Sequence, residues 1–208
     1  MDDQFSLPGF DNSVPPRLPA PPTPFSKSKP KRLPDPYSLF FSIFPTPTDA
    51  TEIAGVNGTL LRMHGLTGRP LPPHRLHVTC HDLGNYAEVP QDMVDAAIGA
   101  GNALASGAFD VVFDSALSYP SSGTYVLSGR EGTRQLTAFR EALGEALRSK
   151  GLRVKPGFTP HMTMVYDRHF VAEHSIEPVR WRALEFVLIR SHVGKGIYDV
   201  LGRWPLAG

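Results

Sequence analysis

One cysteine, Cys80, is all the thiol chemistry this chain of 208 residues offers. It cannot close an internal disulfide, so the fold must be held by its core, as expected of a protein kept in a reducing cytoplasm. A lone cysteine beside Val78 in an apolar run reads as a small buried hydrophobe rather than a nucleophile. No apolar run approaches the length needed to cross a membrane. The opening residues lack a basic stretch followed by an apolar one, so no secretory leader is expected. Charge of one sign is missing too: 21 Lys and Arg stand against 20 Asp and Glu, a formal net charge of +1. Without a basic bulk field, any nucleic-acid contact has to be made locally. What remains is 41% hydrophobic residues, enough for one domain or a tight two-lobed unit with a real core.

Proline is abundant but unevenly spread. Ten of the 21 prolines fall within residues 1–36. Residues 1–34 therefore read as an extended or disordered tail with little to pack. Its end is basic, with Lys27, Lys29, Lys31 and Arg32; a solvated tail is the plain reading and an RNA-touching or docking arm the functional one.

The folded part is expected over 35–208. Tyr37 to Phe44 is a strand between prolines. Ile53, Val56, Leu60 and Met63 recur at helical spacing, with Thr48 or Asp49 as the cap. A loop rich in Gly and Pro covers 65–73, and a strand 75–83. A helix follows over 91–105, then a strand from Phe109 to Ser115 with Asp110 and Asp114 on its second parity. A short strand at 124–128 comes next. Leu136, Phe139, Leu143 and Leu147 mark a helix that stops before Gly151. Strands at 158–166, 183–192 and 198–204 complete the chain. Strand, helix and histidine-bearing strand thus occur twice, in units of about 85 residues, which reads as an internal duplication. It predicts an α+β molecule of two pseudo-symmetric lobes facing across a cleft. One chain would supply both halves of the site, which favours a monomer with no obligate protein partner.

The chemistry lies in the repeated strand. Arg75-Leu76-His77-Val78-Thr79-Cys80 and Phe158-Thr159-Pro160-His161-Met162-Thr163-Met164 each carry a His and, two residues later, a Thr. Side chains alternate across a strand, so His77 and Thr79 share one face and His161 and Thr163 another, while Val78, Cys80, Met162 and Met164 suit a core. Phosphoryl transfer to water needs a base for the water and an acid for the leaving oxygen, in line through phosphorus. Imidazole is the side chain best matched to both tasks near neutral pH. The two threonine hydroxyls are placed to donate to the non-bridging oxygens. This design requires no metal and no cofactor. One histidine would serve as the base and the other as the acid.

These motifs resemble those of the 2H phosphoesterase superfamily, in its branch of 2'-5' RNA ligase-like proteins and RNA 2',3'-cyclic phosphodiesterases. The matching residues are His77-Val78-Thr79-Cys80 with Leu83-Gly84, and Thr159-Pro160-His161-Met162-Thr163-Met164. The resemblance covers about 35–208. It implies a bilobal α+β fold with a cleft between two antiparallel sheets, helices on their outer faces, and metal-free opening of a 2',3'-cyclic phosphate to a 2'-phosphate. It also implies His161 as the base and His77 as the acid, and in some relatives reversible 2'-5' RNA ligation. The expected partner is an RNA 3' end or a cyclic nucleotide, with no membrane involved. The chain departs from the pattern where His81-Asp82 follow the first motif, and where Tyr166-Asp167-Arg168 follow the second.

His81 falls on the parity of His77 and is a further cleft candidate. Arg75 and Lys155 flank the motifs and Arg130 precedes a helix; ordinary solvated charges are the plain reading of each and phosphate contacts the functional one. Tyr166 is a platform for a base or ordinary packing. His192 and Arg190 read as an exposed sheet face, and His64, His169 and His174 as surface or helix-end residues. Two other functions keep the same residues: a non-catalytic module binding nucleotide ends, and a metallohydrolase in which His77 and His81, with His74 or His161, ligate an ion.

Overall fold

A computed structural model describes residues 35–208; the proline-rich tail expected over 1–34 lies outside the described residues. β1 (Tyr37–Ile43) alternates cleanly. Leu39, Phe41 and Ile43 are fully buried on one face, and Phe40 and Ser42 take the other. α1 (Pro47–Met63) follows. Its cap is Thr46, whose Oγ1 accepts from Asp49 N at 3.2 Å, rather than Thr48 or Asp49. Pro47 then sits at the first helical position, where its missing N–H costs nothing. The buried stripe of α1 is Ala50, Ile53, Asn57, Leu60 and Leu61, whereas Val56 and Met63 face outward.

The remaining elements are β2 (Val78–Tyr86), α2 (Gln91–Ala103), β3 (Phe109–Tyr119), β4 (Thr124–Ser128), α3 (Arg134–Ser149), β5 (His161–Tyr166), β6 (His174–Ala183), β7 (Glu185–His192) and β8 (Ile197–Pro205). Two differences from the sequence reading matter. The motif strands start at Val78 and His161, later than expected. β6 is an additional strand, and His174 opens it. Pro178 argues against a strand there, but β6 is the outer strand of its sheet, where a missing N–H breaks no ladder on the open side.

The strands form two four-stranded antiparallel sheets, ordered β2-β1-β7-β8 and β5-β4-β3-β6. The first sheet draws its strands from both ends of the described chain; the second is continuous from β3 to β6. The duplication is visible as β1-α1-β2 and β4-α3-β5, each placing a motif strand at a sheet edge. One core joins the two sheets: Phe41 contacts Phe186 at 6.1 Å between ring centroids, Phe186 contacts Phe139 of α3 at 5.2 Å, and Phe139 contacts Phe109 of β3 at 5.4 Å. Burying each such side chain contributes about 1.5–3 kcal/mol. No helix among the described residues is long and apolar enough to cross a membrane.

The repeats also match in their irregularities. On β2, Thr79 pairs with Ser42 and His81 with Phe41, so Cys80 is bulged out of register. On β5, Thr163 pairs with Val126 and Val165 with Tyr125, so Met164 is bulged at the corresponding place. A bulge leaves its backbone groups outside the ladder, where they need other partners. Each of these carbonyls is taken by a side chain from the other repeat's helix. Arg140 Nε of α3 donates to Cys80 O at 3.2 Å, and Asn57 Nδ2 of α1 donates to Met164 O at 3.3 Å. The connecting helix of each repeat thus holds the motif strand of the other.

Candidate active site

Both motif histidines are oriented in the same way. His77 Nδ1 lies 2.7 Å from Arg75 O, and His161 Nδ1 lies 2.7 Å from Thr159 O. A carbonyl can only accept, so each Nδ1 carries the hydrogen and each Nε2 is the nitrogen that exchanges protons. Ser128 pairs with His161 across the sheet and donates its Oγ to Pro160 O at 2.9 Å, which fixes the approach to His161.

Their surroundings differ. His77 is stacked on Phe40 at 5.5 Å and Phe44 at 5.3 Å, with Tyr198 edge-on at 5.7 Å. This enclosure presses its pKa down to about 4. The positive charges of Arg75 and His161 push the same way, and the bond to the Arg75 carbonyl opposes them. His161 has one aromatic neighbour, the edge of Tyr119 at 5.3 Å.

Two hollows meet at Thr79 and Asp82. The smaller, about 310 Å³, is lined by His77, Thr79 and Thr163, with Phe40, Arg75, Tyr166 and Tyr198 around them. The larger, about 920 Å³, is lined by Thr79 and His161, with Tyr119, Arg130, Arg140 and Lys155. Tyr166 is 60% exposed, open on the face a base would need. The Arg75 guanidinium lies over the Tyr198 ring at 5.3 Å and donates to Tyr198 Oη at 3.4 Å. Arg130 is exposed at the rim of the larger hollow, just before the turn into α3.

His81 corrects the parity reading. The bulge at Cys80 reverses the alternation, so His81 shares the face of Phe41 instead of that of Thr79. It is 4% exposed, with Nε2 2.8 Å from Arg140 O and its ring against Gly144 of α3. His77 and His81 therefore lie on opposite faces of one strand and cannot hold a common ion. The same slip turns Asp82 into the cleft, opposite Phe40, where Lys155 Nζ donates to its carboxylate. Cys80 is 3% exposed, and burial pushes its thiol up to about 12, out of use as a nucleophile. Arg190 and His192 both bond the Asp199 carboxylate, at 2.9 and 2.8 Å, beyond the cleft. Sequence reasoning misses Phe40, Phe44 and Tyr198 as the enclosure of His77, although alternation in β1 offers a signal for Phe40. It also misses Arg140, which occupies an unremarkable outer position of an amphipathic helix.

Several known proteins have a similar fold. The family model of the 2'-5' RNA ligase superfamily matches residues 50–195. A crystal structure of E. coli LigT complexed with 3'-AMP superposes with a TM-score of 0.66 at 24% identity, covering 84% of this chain and 100% of that one. A crystal structure described as a phosphoesterase gives 0.66 at 25% identity, covering 83% and 100%. A protein of Thermus thermophilus gives 0.60 at 24% identity, covering 82% and 98%. No curated protein sequence matches the chain significantly.

Proposed function

The chain belongs to the 2'-5' RNA ligase superfamily, a family of enzymes acting on phosphate esters, and from that premise we propose that it opens 2',3'-cyclic phosphates of RNA ends or nucleotides by acid–base catalysis between His77 and His161. The observation that carries this is the matched pair of imidazoles, each tied through Nδ1 at 2.7 Å, in two hollows that share Thr79, with Thr163 beside His77. Water attacks phosphorus as His161 Nε2 takes its proton. The bond to the ribose 3' oxygen breaks, and His77 Nε2 supplies the proton to that oxygen, leaving a 2'-phosphate. Thr79 and Thr163 donate to the non-bridging oxygens, where negative charge builds. With an RNA 5'-hydroxyl in place of water, the same steps form a 2'-5' linkage. The 3'-AMP bound to LigT supports a nucleotide-sized substrate. Tyr166 offers a stacking face for its base; Arg75 and Arg130 supply positive charge on either side.

The enclosure of His77 adds a condition. With its pKa near 4, the free chain holds no proton there at neutral pH. The substrate phosphate, an anion set against the ring, favours the imidazolium, so the acid is charged as substrate arrives. kcat/KM reports protonation in the free enzyme, where His77 titrates near 4. A limb of kcat/KM is therefore expected near pH 4, well below the ordinary imidazole value of about 6.5. A profile with no limb near pH 4 would mean that the enclosure is not felt in solution. Stability moves in the same sense: the unfolded chain takes up the proton near 6.5 and the folded chain near 4, so stability is lost as pH falls through that window.

The direct test is turnover of 2',3'-cyclic AMP with excess EDTA present. Chelator-resistant formation of a 2'-phosphate is expected; no turnover would leave a binding module, and chelator-sensitive turnover a metal-dependent enzyme. Thr79→Ala and Thr163→Ala should each weaken transition-state binding by roughly 1–3 kcal/mol, read as loss of kcat/KM. Unchanged kcat/KM in both would remove the threonines from the phosphate site.

A further inference from the structure

Away from the cleft, two histidines meet where the repeats cross. His64 caps the C-terminus of α1, and His174 opens β6 of the second sheet. Their Nε2 atoms stand 3.0 Å apart. Both rings are half-buried, and His64 lies against the ring of Tyr125 at 6.0 Å. His174 Nδ1 lies 3.0 Å from Ala172 O, so that nitrogen holds the hydrogen and Nε2 keeps its lone pair. A carbonyl behind the ring is the usual support of a metal-bound histidine. Burial, then the influence of His174 and His169, lowers the pKa of His64.

Two imidazoles at this distance are either hydrogen-bonded to each other or poised around an ion. A straight N–H···N bond along both ring axes would hold the centroids at roughly 5.3 Å. They are 4.4 Å apart, with the rings inclined at 54°. The ring axes are therefore bent away from the line joining the nitrogens, so the contact is not a straight hydrogen bond. A metal at about 2.0–2.1 Å from each nitrogen would see the pair under an angle of about 95°. That angle suits neighbouring positions of a tetragonal ion better than the wider angle of tetrahedral zinc.

We propose that His64 and His174 form a two-histidine site for a tetragonal divalent ion, copper(II) or nickel(II), joining α1 to the second sheet, with water in the remaining positions. The site is separate from the phosphate cleft and takes no part in the chemistry there. Binding weakens as pH falls, because protons compete for the same lone pairs.

Calorimetric titration of the full chain with NiCl2, and separately with CuCl2, tests this. One ion per chain is expected, with affinity reduced about tenfold or more in His64→Gln and in His174→Gln. His169→Gln, which removes a neighbouring charge and not a ligand, should keep the site. In the unaltered protein, copper should selectively broaden the imidazole nitrogen signals of His64 and His174, a readout that needs no variant to fold. Absence of binding at millimolar metal, affinity untouched by both substitutions, or broadening confined to other histidines would each leave a hydrogen-bonded pair only and overturn the proposal.

Discussion

Replacing His77 or His161 with alanine is expected to slow turnover of 2',3'-cyclic AMP about 10²–10⁴-fold in excess EDTA. The double replacement should cost far less than the product of the two, because a base without its acid has little left to contribute. The roles separate with a substrate whose bridging 3' oxygen is sulfur. A thiolate leaves without being protonated, so this substrate should restore turnover to the variant lacking the acid, His77→Ala, and not to His161→Ala. The pH profile alone does not make that distinction, since one shared proton gives the same curve whichever ring holds it. Near-normal rates on the ordinary substrate from either single variant would end the two-histidine mechanism; sulfur rescue of His161→Ala alone would exchange the roles.

The second large effect is expected at Arg140, which touches neither imidazole. Its Nε donates to the bulge carbonyl of Cys80 at 3.2 Å, and its Nη2 donates to Lys155 O and Gly157 O at 2.9 Å each. Its guanidinium also covers the Phe158 ring at 4.8 Å. One side chain therefore ties the bulge behind Thr79 to the segment leading into His161. Arg140→Ala should destabilise the fold by about 2–3 kcal/mol, allowing for partial replacement by water. It should lower kcat by about 10–100-fold through misplacement of the motif segments. Lysine has no fork with which to span three carbonyls, so Arg140→Lys should recover little of either. Urea midpoints and single-turnover rates, measured together, check this; an unchanged midpoint and rate in Arg140→Ala would show the tie to be idle.

Periodicity is a sound guide where a rule of period two applies without interruption. Val78, Cys80, Met162 and Met164 are all at most 3% exposed, as alternation requires. The repeated strand–helix–strand order makes the two-lobed α+β class legible, and the family resemblance singles out the two histidines. Alternation fails one residue past each bulge. It assigns His81 to the cleft and passes over Asp82 because nothing local announces a bulge at Cys80; the carbonyl there is bonded by Arg140, 60 positions away. β6 escapes a sequence reading because Pro178 disfavours a strand except at an edge, and edge position belongs to the topology of the whole sheet. The low pKa of His77 is out of reach for a similar reason: its cage is assembled from β1, the loop after it, and β8.

The sheet order also sets a timetable. A chain made from its N-terminus at about 5–20 residues per second folds in the order its partners emerge. The second sheet uses only residues 109–183 and can close as soon as Ala183 is free. β1 and β2 are made first, but the other flank of β1 is covered by β7, and that pair is finished only by β8. For roughly 100 residues of synthesis, several seconds at that rate, Leu39 and Phe41 lack the β7 neighbours that later pair beside them. The half of the protein carrying His77 is thus the first to be translated and the last to be completed. During that interval it is the half exposed to mispairing, to proteolysis and to capture by chaperones.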